Sequence, residues 1–466
     1  MSNKLPISIK TILNEAEKVV QRGFDKHVKI AVTGFSGSGK TAFITALVRQ
    51  LTAQVNKDNL PFFDVVHSGR FIACKQTTQE AMSVPTFDYR RAVSCLLDAE
   101  PSWPPATSRI NMLTLALKYY AKQGLRAHLA PESTLYIELY DYPGEWLVDL
   151  PLLDMDYAGW SLQQLEKYQS PLYSTYAAAF LEELASLDVC APADDLICAK
   201  IAKIHAELLK ALKANTPATV LQPGRQLLPG ELLDAPVLGF FPCHKPENEQ
   251  ENSVYRQLVE RFEAYKETVV KPFYKNYFCE FDRQVVLVDI FASLQGGPAY
   301  MTELQEATQA MLALFEYGKS NWLSRLLKPK IDKVLFAANK CDSVSSTQHS
   351  NIVRLLDSLL QESHNTLRFD HVKIDTMAMS SVKSSIDRKV QEHGSTLDCV
   401  YGKPTNESNW ITYLPSQVPT SIEASAIWPR HGYEFTSFSP LPAQQGQIGH
   451  IRMDHALQFL LGDKLR

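Results

Sequence analysis

Fourteen residues near the start of the chain carry its most explicit chemistry. Residues 28–41 read VKIAVTGFSGSGKT: a short β-rich apolar run, a loop rich in glycine and serine, then a helical pattern. The loop is G-x-x-x-x-G-K-T, from Gly34 through Gly37 and Gly39 to Lys40 and Thr41. A polyphosphate needs many hydrogen-bond donors at close range. Backbone N–H groups can supply them where no Cβ stands in the way, which is the use of glycine here. Ser36, Ser38 and Ala42 add amides of the loop and of the helix start, where the helix dipole also favours negative charge. Lys40 can reach the outer phosphates as a point charge, and the Thr41 hydroxyl can bind a magnesium ion.

Three later motifs extend this chemistry. Ser133–Tyr140 alternates like a strand and runs into Asp141-Tyr142-Pro143-Gly144-Glu145. In α/β sheets ligands bind beyond the carboxyl ends of strands, which is where Asp141 would stand, able to hold magnesium through water. Gly144 can offer its backbone N–H to the terminal phosphate. Further on, the apolar run Val334–Ala338 leads into Asn339-Lys340-Cys341-Asp342. A carboxylate there can accept from both N1–H and the 2-amino group of guanine. Adenine lacks that donor pair and would leave a buried carboxylate unpaired, so the pair discriminates strongly. Lys340 can lay its alkyl stem over the base, and Asn339 can tie its loop to the phosphate loop. After the strand expected at His371–Met379 come Ser380, Ser381, Val382 and Lys383, whose amides can meet the guanine O6.

The elements that must position these groups form an interrupted α/β pattern. Strands are expected at 28–33, 110–120, 133–140, 285–291, 334–338 and 371–379. Residues 56–107 read as an irregular stretch with short helical pieces, the place for a loop that reaches the γ-phosphate. Residues 146–284 break the pattern with helices at 162–169, 174–187, 195–213 and 253–277, and nothing in them looks catalytic. The expected organisation is an amphipathic helix in 1–27, a nucleotide domain in 28–145 and 285–395, a helical insertion in 146–284, and a C-terminal segment in 396–466 packed on the core. The helix at 6–24 reads as docked rather than membrane-bound, because its polar side is not mainly basic. Asp289 reads as structural, and the Lys-rich stretch 319–333 as a solvated face over a docked apolar stripe.

Composition agrees with a large globular protein: 466 residues, 45% hydrophobic, 21% charged, net charge −4. This balance excludes a broadly basic protein that coats nucleic acid, and no specific nucleic-acid contact is expected. The eight cysteines show no C-x-x-C or zinc-finger spacing and indicate a reducing compartment. The start of the chain lacks the apolar core of a signal peptide, and no run is long enough to span a bilayer. The expected location is cytoplasmic, with peripheral membrane contact left open.

In order and type, GFSGSGKT, DYPG, NKCD and SSV match the guanine-nucleotide domain of Ras-like and translation-factor GTPases. More finely, GFSGSGKTAFITALV, LYDYPGEWL, IDKVLFAANKCD and HIRMDHALQFLLGDKL resemble the YcjX family of bacterial stress-associated P-loop proteins. The resemblance implies an α/β P-loop core, GTP/GDP and Mg²⁺ as ligands, a bacterial stress-associated role and a protein partner at the inner membrane. That family has been labelled as ATPases, but NKCD points to GTP. It places the switch threonine, which completes the metal site and serves hydrolysis, at Thr107; Thr77, Thr78 and Ser108 are the other candidates. Where many such proteins carry glutamine, this chain has Glu145, which can orient water but would also face the γ-phosphate charge. With no arginine finger evident in the chain, the expected activity is slow GTP hydrolysis with Lys40, Glu145 and Thr107 as the catalytic set. The alternatives are an ATPase, or a scaffold that binds nucleotide without hydrolysing it.

Overall fold

The computed structural model describes residues 26–35, 37–53, 55–107, 109–122, 131–314, 330–367, 372–425 and 428–466. The helix expected at 6–24 and most of the Lys-rich stretch 319–333 lie outside these. The apolar runs assemble into β1 (Lys26–Gly34), β2 (Phe71–Thr77), β3 (Asn111–Tyr120), β4 (Glu132–Asp141), β5 (Arg283–Val288), β6 (Lys333–Ala338) and β7 (Lys373–Ala378). They form one sheet in the order β2-β3-β4-β1-β5-β6-β7. Strands β4, β1, β5, β6 and β7 are mutually parallel, while β2 and β3 run antiparallel at one edge. The fold is thus α/β with a mostly parallel sheet.

A parallel sheet must be covered on both faces, and the strand residues alternate accordingly. Val28, Ile30, Val32, Val285, Leu287 and Leu335 turn to one face, under the helix Lys40–Thr52 and the last helix, Met453–Leu461. Val286, Val288, Val334 and Phe336 turn to the other, under the helices Pro298–Ala313 and His349–Leu367. Arg283, at the start of β5, is fully buried and fastens the chain end: it donates to Asp463 at 2.8 and 2.6 Å and to the Leu460 carbonyl.

Between β4 and β5 the helices Tyr157–Gln169, Ser174–Ala185, Asp195–Asn215 and Val254–Tyr265 emerge. Asp156, Asp194 and Ser253 cap three of them, each side chain accepting from an amide of the first turn. Their apolar faces, with Trp160, Phe180, Leu208 and Phe262, belong to the same buried cluster as the second sheet face. The helix expected to run unbroken over 253–277 widens into a π-turn at Lys266–Val270 before continuing as Lys271–Asn276. Pro272 has no N–H for the regular ladder, and the widened turn precedes it.

Two sets of strands depart from the pattern expected from the sequence. Strand β2 lies in the stretch expected to be irregular; it is a half-exposed edge strand with a register shift between Phe71 and Ala73. In the C-terminal part β8 (Ser385–Glu392), β9 (Ser395–Gly402) and β10 (Ile411–Tyr413) form a small antiparallel sheet. The boundary expected at 395 falls at the β8–β9 turn, whose His393 and Gly394 both have positive φ. Among the described residues no helix is long and apolar enough to cross a membrane.

Candidate functional site

Because the central strands are parallel, their carboxyl ends share one edge, and the loops that follow them converge there. After β1 the chain passes through Gly37 (φ +74°) and Gly39 (φ +87°), left-handed conformations that favour glycine, into the helix Lys40–Thr52. A Cβ on Gly39 would stand 2.7 Å from the Asn339 amide nitrogen. Lys40 folds back over this loop, its Nζ donating to the Gly34 carbonyl at 2.8 Å. A glycine loop that leads into a helix N-terminus, with a lysine folded over it, is suited to bind phosphate.

Beside the loop, β4 ends in Asp141, which is almost wholly buried. Thr107 donates to Asp141 Oδ2 at 2.5 Å, and its hydroxyl lies 2.9 Å from that of Thr41. The second oxygen, Asp141 Oδ1, is buried without a partner. Burial pushes the Asp141 carboxyl up to about 6, against the pull of the Thr107 hydrogen bond and the Lys40 charge. Three neutral or anionic oxygens and an unsatisfied buried acceptor fit a hard divalent cation such as magnesium. Gly144 follows, packed so tightly on the phosphate loop that a Cβ would strike the Gly34 carbonyl.

On the far side of the loop, Asn339 directly follows β6, and its side-chain amide joins three segments. Its Nδ2 donates to the Ser38 carbonyl at 2.8 Å, and its Oδ1 accepts from the Ser381 amide at 3.0 Å. Lys340 takes a left-handed φ of +64° and extends to Asp289, Nζ to Oδ2 2.5 Å. Asp289 also caps the helix that follows β5, accepting from the Ala292 amide at 3.2 Å; it holds Lys340 and a helix end together. Asp342 is buried and oriented: its Oδ1 accepts from Ser380 Oγ at 2.5 Å, its Oδ2 from the amides of Ser384 and Ser385 at 2.5 and 3.2 Å. Oδ1, with one donor, keeps capacity for another.

These groups surround a cavity of about 400 Å³. Gly37, Ser38, Gly39, Lys40, Thr41, Ala42, Thr107, Glu145, Asn339, Lys340, Asp342, Ser381 and Val382 line it. Gly34, Asp141 and Gly144 stand behind that lining, and Ser36 and Ser108 lie outside the described residues. Thr77 is on the edge strand opposite Thr114, and neither it nor Thr78 lines the cavity. A larger cavity of about 670 Å³, near Asp64, Lys333 and Asp463, has its acids already paired with Arg70, Lys122 and Lys333.

Several lining residues had no sequence signal. Trp103 and Phe438 close one wall. Lys213, in the last turn of the helix Asp195–Asn215, enters from the helical segment, where the sequence shows no catalytic pattern, and donates to Glu145 Oε1 at 2.6 Å. Burial works against ionisation of Glu145, but the Lys40 and Lys213 charges hold its carboxyl below the ordinary value. A lysine near a helix C-terminus reads as an ordinary dipole partner, and 68 residues separate it from Glu145, so only the packing joins them.

The YcjX-like family model, DUF463, matches residues 28–465. The chain is 37% identical to a Shewanella oneidensis protein named Ras-like GTPase YcjX, over 99% of both chains. It is 36% identical to the Escherichia coli K12 protein of the same name, over 98% of this chain and all of that one.

Proposed function

The chain belongs to the YcjX-like family, and from that premise we propose that it binds Mg²⁺·GTP and hydrolyses it slowly to GDP, as a molecular switch. The observation that carries this reading is the Asn339 side chain, which bonds the phosphate loop at Ser38 and the loop of Ser381 at once. Asp342, buried and oriented, and Lys40 with the glycine loop line the same cavity, which supports this reading. A guanine edge would meet the Asp342 carboxylate while its phosphates lie on the glycine loop, with Asn339 joining the two loops.

In this reading the loop amides and Lys40 bind the phosphates. Lys340 and Asp342 select the base; the Ser381 amide expected at its O6 is taken by Asn339 Oδ1, which leaves the Val382 amide for that role. Thr41, Thr107 and Asp141 would hold magnesium. When bound, the ion neutralises charge on the outer phosphates. Glu145 is the candidate for orienting water: Lys213 bonds its Oε1, and a carboxylate has a second oxygen with which to accept. We place the switch in a bacterial stress-associated process, in the cytoplasm with a protein partner at the inner membrane, on the family resemblance. The two-part nucleotide domain with a helical insertion is part of the same proposal.

The test is equilibrium binding of labelled GDP, GTP and ATP to the purified chain with magnesium, beside Lys40→Ala. Guanine-selective binding that the variant loses is expected. ATP preference would move the protein to the ATPase reading.

A further inference from the structure

Lys213 belongs to the helical segment, yet its ammonium stands at the phosphate end of the cavity. Its neighbour Glu145 directly follows Gly144, which rests on the phosphate loop, and Glu145 also feels the Lys40 charge. The Lys213 side chain is 28% exposed and that of Glu145 11%, so neither is an ordinary surface group. Lys213 is also held in place. Thr216 Oγ1 caps its helix end by donating to the Leu212 carbonyl at 2.7 Å. The segment after it locks onto the Glu145 turn: Gly224 packs against the Glu145 carbonyl, the Arg225 guanidinium lies 3.5 Å over the Trp146 ring, and Asp149 accepts from the Gly224 amide at 2.9 Å. The helix end that carries Lys213 is thus held against the turn that carries Glu145, and the long lysine side chain reaches the cavity from there.

On the reading of this site as one that hydrolyses GTP, we infer that Lys213 is the chain's own catalytic cation for that step. A bound triphosphate brings a multiply charged anion next to Glu145, and two anions in a partly dry site repel each other. The Lys213 ammonium has three donors and can bridge them, as Arg residues do in related reactions. In hydrolysis the water oxygen forms a bond to the γ-phosphorus while the bond from that phosphorus to the bridging oxygen breaks. The electron pair stays on the β-phosphate of GDP, and the water proton leaves with inorganic phosphate. Lys213 shifts from Glu145 toward the oxygens where charge develops, and Glu145, released, accepts from the attacking water. The helical segment thereby completes the site, which explains why it packs so closely on the turn after Gly144.

The experiment compares the full-length chain with Lys213→Met and Lys213→Arg. It reads single-turnover GTP hydrolysis, affinity for labelled GDP, and capture of labelled GDP with aluminium fluoride, a mimic of the transferring phosphoryl group. We expect Lys213→Met to slow hydrolysis about 10²-fold with GDP affinity changed less than about threefold. We expect wild type and Lys213→Arg to capture GDP·aluminium fluoride without any partner protein, and Lys213→Met to fail. Should the Met variant not fold, Lys213→Gln takes its place, with unchanged melting temperature as the control. Hydrolysis that is unchanged or faster in the charge-free variant, or equal capture of the fluoride complex, overturns the inference; faster turnover would make Lys213 a clamp on Glu145. A wild type that binds no guanine nucleotide fails differently, by removing the proposed function itself.

Discussion

Trp103 donates its indole N–H to the Phe438 carbonyl at 2.9 Å, across 335 residues of sequence, and both residues line the candidate nucleotide cavity. The bond ties the stretch that leads to Thr107 to the C-terminal segment. A net hydrogen bond is worth roughly 0.5–1.5 kcal/mol, or about two- to tenfold in an equilibrium. Trp103→Phe keeps most of the ring and loses the donor. Labelled GTP should then dissociate about two- to tenfold faster, read by stopped-flow displacement. An unchanged rate would mean that the wall opens without breaking this contact.

Asp342 sets the second prediction. Its Oδ2 is held by the amides of Ser384 and Ser385, and an asparagine carbonyl can take over that role. The asparagine NH₂ would then face the base in place of Oδ1. A guanine edge would meet donor against donor, whereas xanthine carries an oxygen where guanine carries the 2-amino group. Asp342→Asn should weaken GTP binding by about 10² or more and gain binding of xanthosine triphosphate. Competition titrations with both nucleotides check this, and a variant that still prefers GTP would remove Asp342 from base selection.

A third prediction concerns acid. His205 is fully buried in the helical segment, with Nδ1 2.7 Å from Gln226 Oε1 and Nε2 2.8 Å from the Tyr168 hydroxyl. The Gln226 oxygen can only accept, so Nδ1 carries the proton and Nε2 accepts from Tyr168. Burial pulls the His205 pKa from 6.5 down to about 4. The unfolded chain therefore takes up a proton below 6.5 that the folded chain refuses until about 4. Stability from this group is full above pH 6.5 and is lost as pH falls through the window, by about 3 kcal/mol in all. Buried Asp149, pushed up by desolvation to about 7, has the opposite sign: its folded form keeps a proton that the unfolded form has lost. A raw pH curve mixes the two, so the reading is a difference. Between pH 6.5 and 4 the gap in unfolding free energy between wild type and His205→Gln should shift by about 3 kcal/mol toward the variant, measured by urea unfolding. A constant gap would mean that His205 titrates normally.

The fourth prediction concerns the chain end. Arg283 is fully buried and bonds Asp463 through two nitrogens, and Lys333 reaches the same carboxylate at 2.6 Å. Asp463→Asn leaves a buried guanidinium with Asp332, 3.2 Å away, as its remaining anion. Breaking a buried pair costs roughly 3–5 kcal/mol, and the surviving Asp332 contact puts the expected loss near the lower end, about 3 kcal/mol. Denaturant unfolding reads it. A loss under about 1 kcal/mol would show that the chain end holds through its apolar helix alone.

The parts of this protein whose chemistry is local can be read along the linear chain. A glycine loop, an aspartate at the end of an apolar run, and Asn339-Lys340-Cys341-Asp342 after another each require particular residue types at short spacing, and short spacing survives in a linear reading. The parallel core strands were legible for the same reason, since burial on both faces leaves unbroken apolar runs such as Val285–Val288 and Val334–Ala338. Strand β2 was not, because an edge strand draws its stability from the ladder to β3 rather than from its own side chains. Which distant residues share the cavity follows from the packing of the folded chain. Lys213 meets Glu145, and Trp103 meets Phe438, through helix packing and segment docking that neither member of a pair encodes. That packing also gives Asp289 its place beside Lys340, because only the parallel order β5-β6 sets those two strand ends side by side. Contacts of long sequence separation are fixed by how whole faces bury one another, and that information is spread over the entire core.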